Sequence, residues 1–224
     1  MEKYYTEEIA DNINTNPKIL WDILKEGNDD FISEKAALNP NCTSKILENI
    51  LKRKRKSYVS YAAAKNPNCS SKMLFDILKN GKSDMVSISA ASNPSCPIEA
   101  LEMVLKRNKN DRVSCAAASN RFCPSSVLFD IIRNRCDDVA CYAVENQSCH
   151  PQALEMVLKR GNDDDVSYYA SQNPNCPVAA KRKWNMAILI REKVKRKNKQ
   201  IMDIRQGIHK KERDIDGSIE TLSL

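Results

Sequence analysis

Asn93-Pro94-Ser95-Cys96-Pro97 is the stretch from which the rest of this chain is measured. It returns as Asn39-Pro40-Asn41-Cys42, Asn66-Pro67-Asn68-Cys69, Asn120-Arg121-Phe122-Cys123-Pro124, Asn146-Gln147-Ser148-Cys149 and Asn173-Pro174-Asn175-Cys176-Pro177, and Asn16-Pro17 reads as a truncated first copy. Successive asparagines lie 23, 27, 27, 27, 26 and 27 residues apart. A fixed period of this length is the signature of stacked supersecondary units, so the expectation is an all-α solenoid of about seven two-helix repeats, mostly 27 residues long.

Each repeat carries its own start and stop signals. Nine residues before the Asn stand Asp30, Ser57, Asp84, Asp111, Asp137 and Asp164, short side chains that accept the free N–H groups at the start of a helix. Within this helix A, Ile9, Ile32, Val59, Val86, Val113, Val139 and Val166 lie four residues before Ile13, Ala36, Ala63, Ala90, Ala117, Ala143 and Ala170. The two positions share a face, and the near-constant Ala predicts a close contact. The Pro that usually follows pushes the Asn out of helical geometry, and Asn tolerates a left-handed cap. A second helix, B, carries apolar residues at helical spacing, as in Leu101, Val104 and Leu105 or Leu128, Ile131 and Ile132. It closes on Lys or Arg, and Gly27, Gly81 and Gly161 suit left-handed caps.

The string Ala-Ala-x-Asn-Pro-x-Cys-Pro-x-x-x-Leu, followed by a charged turn and Asp-Val-Ser, resembles the leucine-rich repeat variant family over roughly residues 7 to 190. That resemblance implies short helices of alternating α and 3₁₀ type in a right-handed superhelix. The period here is longer than that family's usual unit, and no iron–sulfur type cysteine cluster flanks the repeats. The family is defined by architecture and implies no activity.

The chain divides at about residue 190 into a repeat region (1–190) and a basic helical extension (191–224) ending in an acidic, fraying tail. Residues 1–180 hold 23 basic and 23 acidic side chains, residues 181–213 carry a net +10, and the last eleven residues carry −3. Ala187, Ile190, Val194, Lys197, Ile201, Ile204 and Ile208 follow a three-four spacing, which predicts a helix whose apolar stripe is covered by the last repeat or by a second copy. Lys197 in that seam favours packing on the repeats.

No run of about 18 apolar residues suggests a membrane span and the first residues do not read as a secretory signal, so a cytoplasmic or nuclear location is expected. The repeat cysteines Cys42, Cys69, Cys96, Cys123, Cys149 and Cys176 read as small buried thiols, since equivalent positions on stacked helices are too far apart to share a metal ion. With only His150 and His209, no Gly-rich phosphate loop and no nucleophile motif, we expect neither enzyme, cofactor nor small-molecule substrate. The expected role is an interaction scaffold for another protein, using variable surface positions such as Tyr61, Ile88, Cys115, Cys141 and Tyr168. The rival is a nucleic-acid-binding module in which Lys52, Arg53, Lys54, Arg55, Lys56, Lys181, Arg182, Lys183, Lys193, Lys195, Arg196 and Lys197 meet phosphates or another acidic partner. The oligomeric state is left open.

Overall fold

The computed structural model describes the backbone of residues 5–53 and 57–222, and side chains there through residue 206. Fourteen α-helices and no strands are found among these residues. In chain order they are α1 (Glu7–Asp11), α2 (Pro17–Leu24), α3 (Phe31–Leu38), α4 (Ser44–Arg53), α5 (Tyr58–Lys65), α6 (Ser71–Lys79), α7 (Met85–Ser92), α8 (Ile98–Lys106), α9 (Arg112–Ser119), α10 (Ser125–Asn134), α11 (Asp138–Glu145), α12 (Pro151–Lys159), α13 (Asp165–Gln172) and α14 (Val178–Leu222). The odd-numbered helices pack on one another in series from α1 to α13, each even-numbered helix from α2 to α12 packs against the odd one that follows it, and α14 packs against α12. The molecule is therefore an all-α stack in which contacts run along a line.

Local chemistry explains why the helices begin where they do. Asp30, Ser57, Asp84, Asp111, Asp137 and Asp164 are the N-caps of α3 through α13 in the odd series, each accepting from the backbone N–H three residues on. Helices of 8 to 10 residues are too short to persist alone, so their stability comes from packing. Ala36, Ala63, Ala90, Ala117, Ala143 and Ala170 are fully buried, and Leu47, Leu74, Leu101, Leu128 and Leu154 fill the layer between odd and even helices with no exposed surface. Burying each such Leu stabilises the fold by about 1.5–3 kcal/mol.

The even-numbered helices are α-helical, not the 3₁₀ segments implied by the family resemblance. No 3₁₀ helix occurs among the described residues. The longer period supplies enough residues for at least two full α-turns in each. Gly27, Gly81 and Gly161 take the expected left-handed conformation after an even-numbered helix, with φ of 75°, 64° and 67°, and Asn108 does the same with φ 54°. Pro97 and Pro124 stand at the N-cap itself, one residue ahead of the first turn.

The repeat asparagines do not adopt the left-handed cap expected of them. Asn66, Asn93, Asn120 and Asn173 have φ between −60° and −68° and ψ between 126° and 132°, an extended conformation that turns the side chain inward. There the amide bridges neighbouring units. Nδ2 of Asn93 donates to the carbonyls of Ala64 and Asn66 at 2.7 and 2.9 Å, while its Oδ1 accepts from the N–H of Ser95 at 2.7 Å. The same links run from Asn66 to Ala37 and Asn39, from Asn120 to Ala91 and Asn93, from Asn146 to Ala118 and Asn120, and from Asn173 to Val144 and Asn146.

This ladder corrects the reading of the first unit. Asn39 donates to the carbonyls of Ala10 and Asn12, so Asn12, 27 residues upstream, is the first copy. Its Oδ1 accepts from Asn14 N–H in the same way, and buried Thr15 fills the cysteine slot. Asn16 is the N-cap of α2. The first unit is thus not four residues short; the frame measured from Asn16 was displaced, which is why Ile13 is 66 % exposed and Leu20, Ile23 and Leu24 are buried.

Candidate functional site

On the odd-numbered helices, residues eight, five, four and one before the Asn share the face opposite the buried Val and Ala, because they recur at helical spacing. Across α7, α9, α11 and α13 this face forms an open trough of about 780 Å³ lined by Met85, Ile88, Arg112, Cys115, Asp138, Cys141, Tyr142, Glu145, Asp165 and Tyr169 among others. One cation therefore faces three carboxylates. Of the surface positions singled out from the sequence, Ile88, Cys115 and Cys141 lie in the trough. Tyr168 lies beside it, edge-on to Tyr169 at 5.5 Å between ring centres. Tyr61 is elsewhere, with the Lys65 ammonium 5.8 Å from its ring centre.

Three titratable groups on three helices register the negative field of this trough. The Cys141 thiol is pushed up to about 11, first by burial and then by Asp165, Asp138 and Glu145. Burial raises Cys115, and Asp138 and Asp111 raise it further. Glu145 is the largest cause of the upward shift of Tyr169, ahead of burial and Asp165. An anion at each position is disfavoured by its surroundings, by burial first at the two cysteines and by Glu145 first at Tyr169.

The basic residues are dispersed. Arg53 donates to the Lys25 carbonyl at 2.7 Å and lies 5.6 Å from the Trp21 ring centre, closing the end of α2. Lys52 pairs with Glu48 at 2.8 Å. Lys54, Arg55 and Lys56 lie outside the described residues. Lys181, Arg182 and Lys183 are in the first turns of α14, while Lys193, Lys195, Arg196 and Lys197 project from its exposed middle. Arg53 belongs to a set of arginines that sequence reasoning missed: Arg107 donates to Leu78 O and Lys79 O, Arg160 to Ile132 O and Arg133 O, and Arg191 to Gly161 O, each satisfying the carbonyl end of an earlier even-numbered helix or the turn after it. For Arg53, Arg107 and Arg160 the place at or just after the end of an even-numbered helix was the available signal; Arg191, inside α14, gave none.

Among the repeat cysteines, Cys42, Cys69, Cys96, Cys123, Cys149 and Cys176 are all buried, as expected. Burial pushes the first five up to about 12, keeping them protonated and poor nucleophiles. No group of three or more His, Cys, Asp or Glu residues is gathered as a metal cage among the described residues. His150 is the N-cap of α12, its Nδ1 accepting from Gln152 N–H at 3.2 Å.

At the carboxyl end, Trp184 is buried and donates to Asn162 O at 2.9 Å, so the opening turns of α14 complete the stack against α12. Beyond them the last repeat does not cover the apolar stripe. Ile190, Val194, Ile201 and Ile204 are 55, 51, 46 and 62 % exposed, although Arg191 still reaches back to the Gly161 carbonyl.

No helix among the described residues is long and apolar enough to cross a membrane. Compared with protein-family models, curated proteins and solved structures, the chain matches none of them. What its fold and surfaces define is a class: a stacked all-helical array with a fixed interior and a variable trough.

Proposed function

We propose that the chain is a non-enzymatic interaction scaffold and that the trough across α7, α9, α11 and α13 receives a positively charged, apolar-bearing segment of a partner protein. The observation that carries this reading is the contrast on each odd-numbered helix. The inward positions are held to Val and Ala, whereas the trough positions run from Met85 and Ile88 to Asp138, Tyr142, Glu145 and Tyr169. Aromatic rings beside carboxylates recognise Lys- and Arg-rich segments by charge and by cation–π contact. The proposed kinship with the leucine-rich repeat variant family fits this reading, as that family is one of architecture and not of reaction.

The test is calorimetric titration of the full chain with short peptides graded from Lys/Arg-rich to Asp/Glu-rich, each bearing one aromatic residue. Binding confined to the basic peptides, and weakened about tenfold or more in an Asp138→Lys, Glu145→Lys variant, supports the reading. Binding indifferent to that variant would defeat it.

One observation favours a second reading, a nucleic-acid-binding module: the cluster Lys193, Lys195, Arg196 and Lys197 is exposed on α14, within a segment of net +10. Its signature is a steep loss of duplex or single-strand affinity with rising salt, abolished by replacing those four residues.

A further inference from the structure

We infer that α14 joins a second copy of the chain as an antiparallel two-stranded coiled coil. From Ala187 onward the helix alternates steps of three and four residues without a break. One row of the seam holds Ala187, Val194, Ile201, Ile208, Ile215 and Leu222, and the other holds Ile190, Lys197, Ile204, Lys211 and Ser218. That is the seven-residue repeat of a supercoiled seam, sustained over more than four heptads. Residues 190–222 span about 50 Å of helix. Among the described residues nothing covers it, for Ile190, Val194, Ile201 and Ile204 are about half exposed. A helix with one row apolar at all six positions and a second row mixed, exposed from Ile190 on along the described part of both, has the form of one half of an interface.

Charge decides the orientation. In a parallel pair each seam layer meets its own copy, so Lys197 would face Lys197 and Lys211 would face Lys211. The stretch 191–199, with six cations and the single carboxylate Glu192, would also lie beside itself. Like charges in one layer are destabilising. In an antiparallel pair the two rows face each other, and centring the overlap between Ile201 and Ile204 sets Ile201 against Ile204 of the second copy. The same register places Ile190 opposite Ile215, Lys197 opposite Ile208 and Lys211 opposite Val194. Each Lys then meets an apolar residue, along which its methylene stem can lie. On the flanks this register matches Lys193 with Asp214, twice by symmetry, while Arg191 stays on the Gly161 carbonyl of its own chain. The acidic end of the sequence is thereby brought to the basic stretch, and the two repeat arrays project from opposite ends of a shared rod.

The full chain is tested by sedimentation velocity and light scattering at tens of micromolar. A particle of twice the 25.4 kDa chain mass is expected, and a monomer overturns the inference. So does a chain that associates only when heparin or duplex DNA is added. The Ile201→Asp, Ile204→Asp variant should dissociate at concentrations about 100-fold or more higher than the parent, since it sets carboxylates in an apolar layer, with the melting of the repeats unchanged. A variant still paired as tightly as the parent would show the seam to lie elsewhere. Orientation is read by disulfide trapping in a Cys136→Ser background, which removes the exposed native thiol. Ile190→Cys together with Ile215→Cys should give a covalent dimer under mild oxidation, and Ile190→Cys alone should not. The opposite outcome establishes the parallel pair and overturns the register. Lys193→Glu should loosen the dimer by about two- to fivefold, and adding Asp214→Lys should restore it.

Discussion

The two turns of each repeat solve the same problem by different means. Where an odd-numbered helix gives way to an even one, the two residues after the Asn reach the surface, but the Asn itself and the carbonyls it meets are buried away from water. A buried Asn supplies both donors and takes the N–H two residues on. Where an even helix gives way to an odd one, the chain is at the surface. There the devices vary: a left-handed Gly81 or Asn108, or Arg135 held against Asp137 and donating to Lys109 O. The 26-residue unit has lost its residue at this second kind of turn, between α10 and α11, where no left-handed residue is used. Buried carbonyls tolerate one solution, whereas a hydrated turn tolerates several.

The sharpest way to break the contrast is Asn93→Asp, which keeps the shape and replaces two donors with an oxygen facing the carbonyls of Ala64 and Asn66. A loss of about 3 kcal/mol or more in denaturant unfolding is expected, comparable with Leu101→Ala at about 2–5 kcal/mol. Arg107→Ala, at the surface turn, should cost only about 1 kcal/mol. Equal costs at the two turns would remove the distinction between them.

Gly81→Ala is a milder probe of the surface turn. An added Cβ would sit 3.5 Å from Arg107 Nη1, an ordinary contact, so the cost is that of the positive φ alone, about 1–2 kcal/mol. Asn108→Gly should cost nothing and return a few tenths of a kcal/mol, because Asn already occupies that conformation under mild strain.

Acidity gives the smallest and most selective effect. Burial alone would raise Asp137, but the Arg135 hydrogen bond, the Ala140 N–H and the Arg135 charge outweigh it and leave the carboxyl below its ordinary value. At Asp164, burial is likewise outweighed by the Ser167 hydroxyl and N–H, Asn162 and Arg160. Because the folded values are depressed, their contribution is present above the unfolded carboxylate range near pH 4 and is lost as pH falls through the folded values. Melting temperature should therefore drop with acid below about pH 4, and Asp137→Asn should flatten that slope. The asparagine turns carry no titrating group and should add nothing to it.

Much of this architecture was written locally. The caps at Asp84 or Asp164 and the buried faces of Leu101 and Ala117 follow from the spacing of a few residues, so they were legible without a structure. The ladder was not, because a hydrogen bond between Asn93 and Asn66 is a tertiary fact. Its trace was that Asn120 and Asn146 persist where the following Pro is replaced by Arg121 and Gln147. The same gap misplaced the first unit, since Asn16-Pro17 imitates the motif that Asn12 performs. The trough was half legible: one of its rows was singled out, but its depth depends on how four helices pack. For α14 the seam could be read and its cover could not, because spacing gives a face and not what meets it.

The direction of the ladder bears on how the molecule is made. Every link from Asn39 to Asn173 donates to carbonyls 26 to 29 residues earlier, and none of these links waits for a residue not yet synthesised. As the nascent chain leaves the ribosome, each newly emerged asparagine finds its acceptors already set in the preceding turn. The growing end needs no distant strand or closing segment, so the array is suited to rapid, vectorial folding during translation.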